Sequence, residues 1–220
     1  MIVVHHLDNS RSQRVLWLLE ELGVAYEVVR HSRDPSGLAP PTLREIHPLG
    51  KAPVIVDDGR VLAESGAILE YLLEHHGNGR LVPPPGTEEA LRYRYWMHYA
   101  EGSAMPNLLL KVVFDHIETG PVPFLIRPIT RGLARAVKSS LVDPQLALHL
   151  DHMETELQRS LWFAGDAFTA ADIQMSFPVE AAAAKAGLNA TRPGLMRYLD
   201  AFHARPAWIR AVERGGPYSL

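Results

Sequence analysis

Cysteine is absent from all 220 residues. That excludes disulfides, zinc–thiolate sites, iron–sulfur clusters and cysteine nucleophiles at once. A long apolar run is missing too. The most apolar windows, Met105–Phe114 and Phe177–Leu188, are broken by Pro106, Asn107, Lys111, Glu180 and Lys185, so neither offers the ~18 clean residues of a membrane span. With a formal net charge of −3, no basic field points to nucleic acid as the main partner. The start, Met1-Ile2-Val3-Val4-His5-His6, has neither the basic opening nor the apolar core of a signal peptide. A soluble cytoplasmic protein with no membrane and no nucleic-acid partner is the expectation. P-loop, GxGxxG, GxSxG and HExxH signatures are also missing.

What is present is an ordinary globular composition, 47 % hydrophobic and 21 % charged, with a mean hydropathy of −0.05. A chain of this length buries about 70 % of its unfolded surface and needs no covalent staples. Ile2–His6 reads as a short buried strand, followed by the turn Asp8-Asn9-Ser10-Arg11, rich in helix-capping residues. Val15, Leu16, Leu18, Leu19 and Leu22 then form an apolar helical stripe that stops at Gly23. Tyr26–Val29 supplies a second strand, and the helical crossover makes the pair parallel. Asp34–Pro48 is polar, with room for one helical turn at Leu43–Ile46. Pro53–Val56 and Val61-Leu62 flank the hairpin signal Asp57-Asp58-Gly59-Arg60, and Glu64-Ser65 opens a helix closing at His75-His76-Gly77.

Proline and glycine crowd between Asn78 and Glu88, which reads as an interdomain linker. Beyond it every periodic stretch is helical: Glu88–Glu118, about Ile126–Leu141, Pro144–Leu161, Ala170–Lys185 and Arg192–His203. Asp143-Pro144 pairs a capping residue with a first-turn proline, and Thr169-Ala170-Ala171-Asp172 has the form of a capping box. The expected plan is an α/β domain over residues 1–77 in βαβ-ββα order, a linker over 78–88, and an all-helical domain over 89–220.

Eleven histidines invite a metal reading, and His149 and His152, with Glu156 further on, fit one helix face, but the two histidines are followed by no third ligand at a compelling spacing, so no metal site is expected. Polar residues at helix starts are more informative. Asn9 and Ser10 lie where the first strand hands over to the first helix, where unpaired amides and the helix dipole favour an anion. Glu64-Ser65 repeats the arrangement at the next helix after the sheet, with a carboxylate to attract an ammonium, and Lys51 adds a movable positive charge. Each residue alone reads more readily as a cap or a solvated side chain than as part of a site. Together they describe a pocket for a zwitterion with carboxylates at both ends.

Three motifs, in order, carry a resemblance: His47-Pro48-Leu49-Gly50-Lys51-Ala52-Pro53-Val54, Leu62-Ala63-Glu64-Ser65-Gly66-Ala67-Ile68 and Phe168-Thr169-Ala170-Ala171-Asp172. With them the chain resembles the cytosolic glutathione transferases over essentially its whole length, as a bacterial, serine-type-like member without a catalytic cysteine or N-terminal tyrosine. The resemblance implies a thioredoxin-like N-terminal domain, a helical second domain, a homodimer, and a role in detoxification. It makes Pro53 a cis-proline that turns the Ala52 backbone toward glutathione, Glu64 and Ser65 the holders of the γ-glutamyl group, and Lys51 and His47 the reach toward the glycine carboxylate. Glutathione enters as co-substrate, with a small electrophile, peroxide or disulfide as its partner.

For activation of the glutathione thiol the resemblance points to Ser10, with Asn9 as its rival and Arg11 and Ser12 behind them. For the electrophile pocket, Tyr99, Met105, Leu109 and Phe114 are the apolar candidates. Arg127, Arg131, Arg135 and Lys138 form a helical stripe best read as a solvated face. Glutathione-dependent peroxide or disulfide reduction is the alternative activity. A non-catalytic protein-binding module of the same fold is the alternative class.

Overall fold

Alternating burial of Ile2 and Val4 produces strand β1 (Ile2–Leu7), the first element of a computed structural model that describes residues 1–220. Helix α1 (Ser12–Leu22) follows and ends at Gly23, whose left-handed φ of 67° lets its amide close on the carbonyls of Leu19 and Glu20. Strand β2 (Tyr26–His31) pairs parallel with β1, Ile2 opposite Tyr26. After the single turn α2 (Leu43–Ile46), β3 (Val54–Asp57) runs antiparallel to β1, and β4 (Arg60–Ala63) antiparallel to β3. Asp58 and Gly59, at φ 47° and 81°, make the two-residue turn between them. The sheet order is β2-β1-β3-β4, and α3 (Ser65–His76) completes the thioredoxin-like plan.

The rest is helical: α4 (Glu88–Tyr99), α5 (Met105–Thr119), α6 (Arg127–Val137), α7 (Asp143–Arg159), α8 (Ala170–Lys185), α9 (Pro193–His203) and α10 (Pro206–Gly215). Helix α10 has no counterpart among the sequence-predicted helices, although Arg205-Pro206 is a fair start signal. Two further differences share one cause. Helices α4 and α5 are joined by a π-helical segment, Ala100–Ala104, and α6 and α7 by another, Lys138–Val142. Each immediately precedes an X-Pro pair, Met105-Pro106 or Asp143-Pro144. Proline gives no amide hydrogen, and its ring strikes the carbonyl four residues back; one extra residue in the turn moves that carbonyl away. Asp143-Pro144 therefore does not start a helix, because the Asp143 amide bonds back to the Lys138 carbonyl and the helix passes through.

Helix α1 is buried nearly all round, since the sheet covers one face and the helical domain the other. Trp17 is its anchor, packing against Phe168, Phe202 and Trp208 at ring distances of 5.5, 5.3 and 5.0 Å. Helix α8 begins as expected: both Asp172 carboxylate oxygens accept amide hydrogen bonds, from Phe163 and Thr169, each at 2.8 Å. Burial pushes this carboxyl up to about 7 against those bonds. Asp172→Ala removes the cap and strands two buried amides, those of Phe163 and Thr169, so urea unfolding should show a loss of roughly 2 kcal/mol or more.

Candidate functional site

A cavity of about 790 Å³ opens between the two domains. One wall is built by Arg11 at the start of α1, the loop residues His47, Leu49, Lys51, Ala52 and Pro53, and Glu64 and Ser65 at the start of α3. The facing wall is helical: Glu101, Met105, Leu108, Leu109 and Val112 from the α4–α5 unit, and Phe177, Ala181 and Lys185 along one face of α8. The Ala52–Pro53 bond is cis, as expected. Gly50 turns the loop at φ 57°, its amide bonded to the His47 carbonyl at 2.8 Å, and this brings Lys51 to the cavity.

The polar groups sit at two ends. Glu64 holds φ 71°, a left-handed conformation uncommon for a non-glycine residue, and this places its carboxylate at the rim beside the first turn of α3. The amides of Ser65, Gly66 and Ala67 make no hydrogen bond to protein acceptors, so the positive end of α3 is available to an anion. Lys51, also on the wall, has no carboxylate within 4 Å. At the start of α1, the amides of Ser10 and Arg11 likewise lack protein acceptors. The wall thus offers an anion seat, a carboxylate, a further cation and a second helix start.

Behind this wall lies an ionic network that the sequence did not reveal. Arg14 is 1 % exposed, donating to the Gln174 carbonyl at 2.6 Å, to Gln174 Oε1 at 2.9 Å and to Ser65 Oγ at 3.4 Å. Its charge is met by Glu101 at 2.5 Å, which also accepts from Arg11 Nε at 2.9 Å. Burial alone would raise the Glu101 carboxyl, but Arg14 and Arg11 overcome it and hold the group below the usual carboxylate range. Arg11 lies over the Phe177 ring at 4.9 Å, so one residue joins both walls. Arg14 and Glu101 are far apart in sequence, and no local pattern couples them.

All six residues expected to hold glutathione, His47, Lys51, Ala52, Pro53, Glu64 and Ser65, line this cavity. Met105 and Leu109 line it as well, but Tyr99 and Phe114 do not. Tyr99 is buried, its hydroxyl hydrogen-bonded to His149 on α7, and Phe114 packs against the core. Phe177 and Ala181 stand where those two were expected. Their spacing of four on α8 was the available signal.

Ser10 and Asn9 also fall differently from expectation. The buried Ser10 hydroxyl turns inward, 2.7 Å from Ser12 Oγ, and accepts from the Ser12 amide at 3.2 Å. Asn9 is in the left-handed region at φ 50°, and its side-chain oxygen accepts from the Ser219 amide at 2.8 Å. Neither is on the cavity wall; Arg11, between Ser10 and Ser12, is. Ser12 Oγ is in turn 2.9 Å from His6 Nδ1. Burial pushes the His6 imidazole down to about 4. A lowered histidine favours folding fully above its ordinary value of about 6.5, and that contribution fades as pH falls through the folded value. Denaturant unfolding should therefore lose roughly 3 kcal/mol from this residue between pH 6.5 and pH 4, and His6→Asn should flatten that slope.

A thioredoxin-like domain whose cavity is completed by a helical domain, with polar ends suited to a zwitterion, defines a glutathione-transferase class of protein. The family comparison agrees. Residues 4–81 match the glutathione S-transferase N-terminal domain model and residues 115–206 the C-terminal domain model. The chain is 38 % identical to glutathione S-transferase 3 of Schizosaccharomyces pombe, over 97 % of this chain and 88 % of that one. To glutathione S-transferase 1 of Saccharomyces cerevisiae it is 30 % identical, over 97 % and 95 %. A crystal structure of a glutathione S-transferase from Actinobacillus pleuropneumoniae superposes with a TM-score of 0.80 at 33 % identity, covering 98 % of this chain and 93 % of that one. The chain belongs to the glutathione S-transferase family.

Proposed function

We propose that the protein binds glutathione in this cavity, holds its thiol as a thiolate and transfers it to small electrophiles. The supporting observation is the joint presence on one wall of the α3 amides, Glu64, Lys51 and Ala52, which match a tripeptide zwitterion end to end. In this reading the γ-glutamyl carboxylate sits on the amides of Ser65 to Ala67 and its ammonium meets Glu64. The glycine carboxylate reaches Lys51 and His47, and the cysteinyl backbone pairs with Ala52.

The sulfur then lies over the start of α1. Free amides at Ser10 and Arg11, the helix dipole and the Arg11 guanidinium favour the thiolate there. Lowering the thiol by about two units takes ~2.7 kcal/mol, within the range of one charge-assisted hydrogen bond plus a helix start. The inward hydroxyl of Ser10 and the Asn9–Ser219 bond hold the turn that presents these amides. The thiolate attacks an electrophilic carbon lodged between Met105, Leu108, Leu109 and Val112 on one side and Phe177 and Ala181 on the other, and the leaving group departs with the bonding pair. A cytoplasmic homodimer acting in detoxification fits the same reading, with Leu91 and Tyr95 of α4 exposed at 68 % and 48 % as an apolar face for the partner copy.

Retention on immobilised glutathione tests the reading, and elution of the protein unretained would rule out both conjugation and glutathione-dependent reduction. A panel of halogenated aromatics, hydroperoxides and mixed disulfides then ranks those two. Because Lys51 is solvent-exposed and touches only the ground-state tripeptide in this scheme, Lys51→Ala should raise KM for glutathione about fivefold and leave kcat nearly unchanged, in steady-state assays.

A further inference from the structure

Helix α6 lies almost wholly open to solvent on both its faces. Of its residues only Ala134 is buried. Its cationic stripe is largely solvated, as expected, with Arg127, Arg131 and Arg135 exposed, and it also reaches α5: Arg135 Nε donates to Glu118 at 2.6 Å, Lys138 Nζ to Asp115 at 2.6 Å and to Glu118 at 2.5 Å, and Arg131 Nε to the Glu118 carbonyl at 3.3 Å. At about 100° per residue, Ile129 and Leu133 point about 160° away from Arg131. They are 70 % and 64 % exposed, and the preceding turn adds Phe124 at 80 % and Leu125 at 85 %. Single exposed apolar residues are commonplace, but four large ones gathered along one helical stripe and the turn before it are not.

The charge around this stripe names the occupant. From residue 119 to residue 142 there is no Asp or Glu, while Arg127, Arg131, Arg135 and Lys138 all fall within it, in a chain whose net charge is −3. Arg127 and Arg131 have no carboxylate within 4 Å, because Asp115 and Glu118 are taken by Lys111, Arg135 and Lys138. An apolar stripe of Phe, Leu and Ile on one face, with the exposed and uncompensated Arg127 and Arg131 on the other, is the pattern of a helix lying in a lipid surface, apolar side down, its long cationic side chains within reach of the anionic headgroups. A second copy fits less well, since a two-fold contact would set this acid-free cationic segment against itself. We propose that Phe124, Leu125 and the outer stripe of α6 dock the protein peripherally on anionic lipid. No helix is long and apolar enough to cross a membrane. The expectation of no membrane partner rests on spanning segments and does not address a helix lying in the surface.

Vesicle co-sedimentation decides the matter, using equal parts phosphatidylserine and phosphatidylcholine against phosphatidylcholine alone. The intact protein should pellet at least tenfold more with the anionic vesicles, and less as salt rises. The double variant Ile129→Asp with Leu133→Asp should lose at least tenfold of that binding, as should Arg127→Glu with Arg131→Glu. Because none of these four residues lines the cavity, all variants should keep their thermal midpoint and glutathione retention. Failure of the intact protein to pellet would overturn the proposal. So would a dimer that the Ile129/Leu133 variant splits, by light scattering, without any vesicle binding; the face would then be an interface between copies.

Discussion

Glu101→Gln should lower stability by roughly 2 to 3 kcal/mol, because Arg14 is left as a buried charge without its counter-ion while water at the 35 % exposed position 101 offsets part of the cost of breaking a fully buried pair. The change keeps the shape of the side chain and removes its charge. Arg14 is then left, 1 % exposed, with the neutral oxygens of Gln174 as its remaining strong acceptors and the Arg11 charge nearby. For a domain pair of this size the loss corresponds to a thermal midpoint lower by up to about 10 °C. Asp58→Asn is the control, because Asp58 is 84 % exposed and its partner, the N-terminal ammonium, 65 %, and exposed pairs contribute under about 1 kcal/mol. The pH dependence has a definite sign. The Glu101 carboxyl is held below its ordinary value by Arg14 and Arg11. Its contribution is complete above the ordinary carboxylate range and fades as pH falls through the lower, folded value. Glu101→Gln should erase that part of the acid dependence. Since Arg14 also supports the Ser65 hydroxyl, glutathione affinity should fall with it.

Arg11→Met should raise the pH midpoint of thiolate formation in bound glutathione by about one unit and lower kcat/KM near neutral pH about tenfold. One unit corresponds to about 1.4 kcal/mol, the scale of a single charge-assisted hydrogen bond. The variant leaves Glu101 paired with Arg14, so the fold is spared the penalty of the first prediction. Ser10→Ala should do less, since that hydroxyl bonds inward to Ser12 and shapes the turn. A pH–rate profile separates the two: a shift for Arg11→Met with little for Ser10→Ala supports activation by the guanidinium and the amides, and the reverse assigns it to the hydroxyl.

Local signals are well placed where local chemistry decides. Gly23, Asp58-Gly59 and the single turn Leu43–Ile46 all stand where turn and capping preferences put them. The same holds for the residues from His47 to Ser65 on the cavity wall, whose positions come from strand ends and a helix start. Facing across the long helix is lost for a different reason. Phe114 lies nine residues and about 180° from Met105 on the same helix, and the π segment Ala100–Ala104 inserts one residue that turns Leu109 from about 80° to about 180° away from Tyr99. Ser10 turns inward because hydroxyl and imidazole groups of Ser12 and His6 gather around it, a choice set by tertiary packing. Arg14 with Glu101, and Lys138 with Glu118, depend on contacts between distant segments that no periodicity encodes.

Ionisation of glutathione in the cavity is the most direct measurement, with ultraviolet absorbance of the thiolate recorded during a pH titration with the protein in excess. Bound glutathione should ionise about two units below the free tripeptide, the drop attributed to the start of α1 and Arg11. A midpoint equal to that of free glutathione would contradict it.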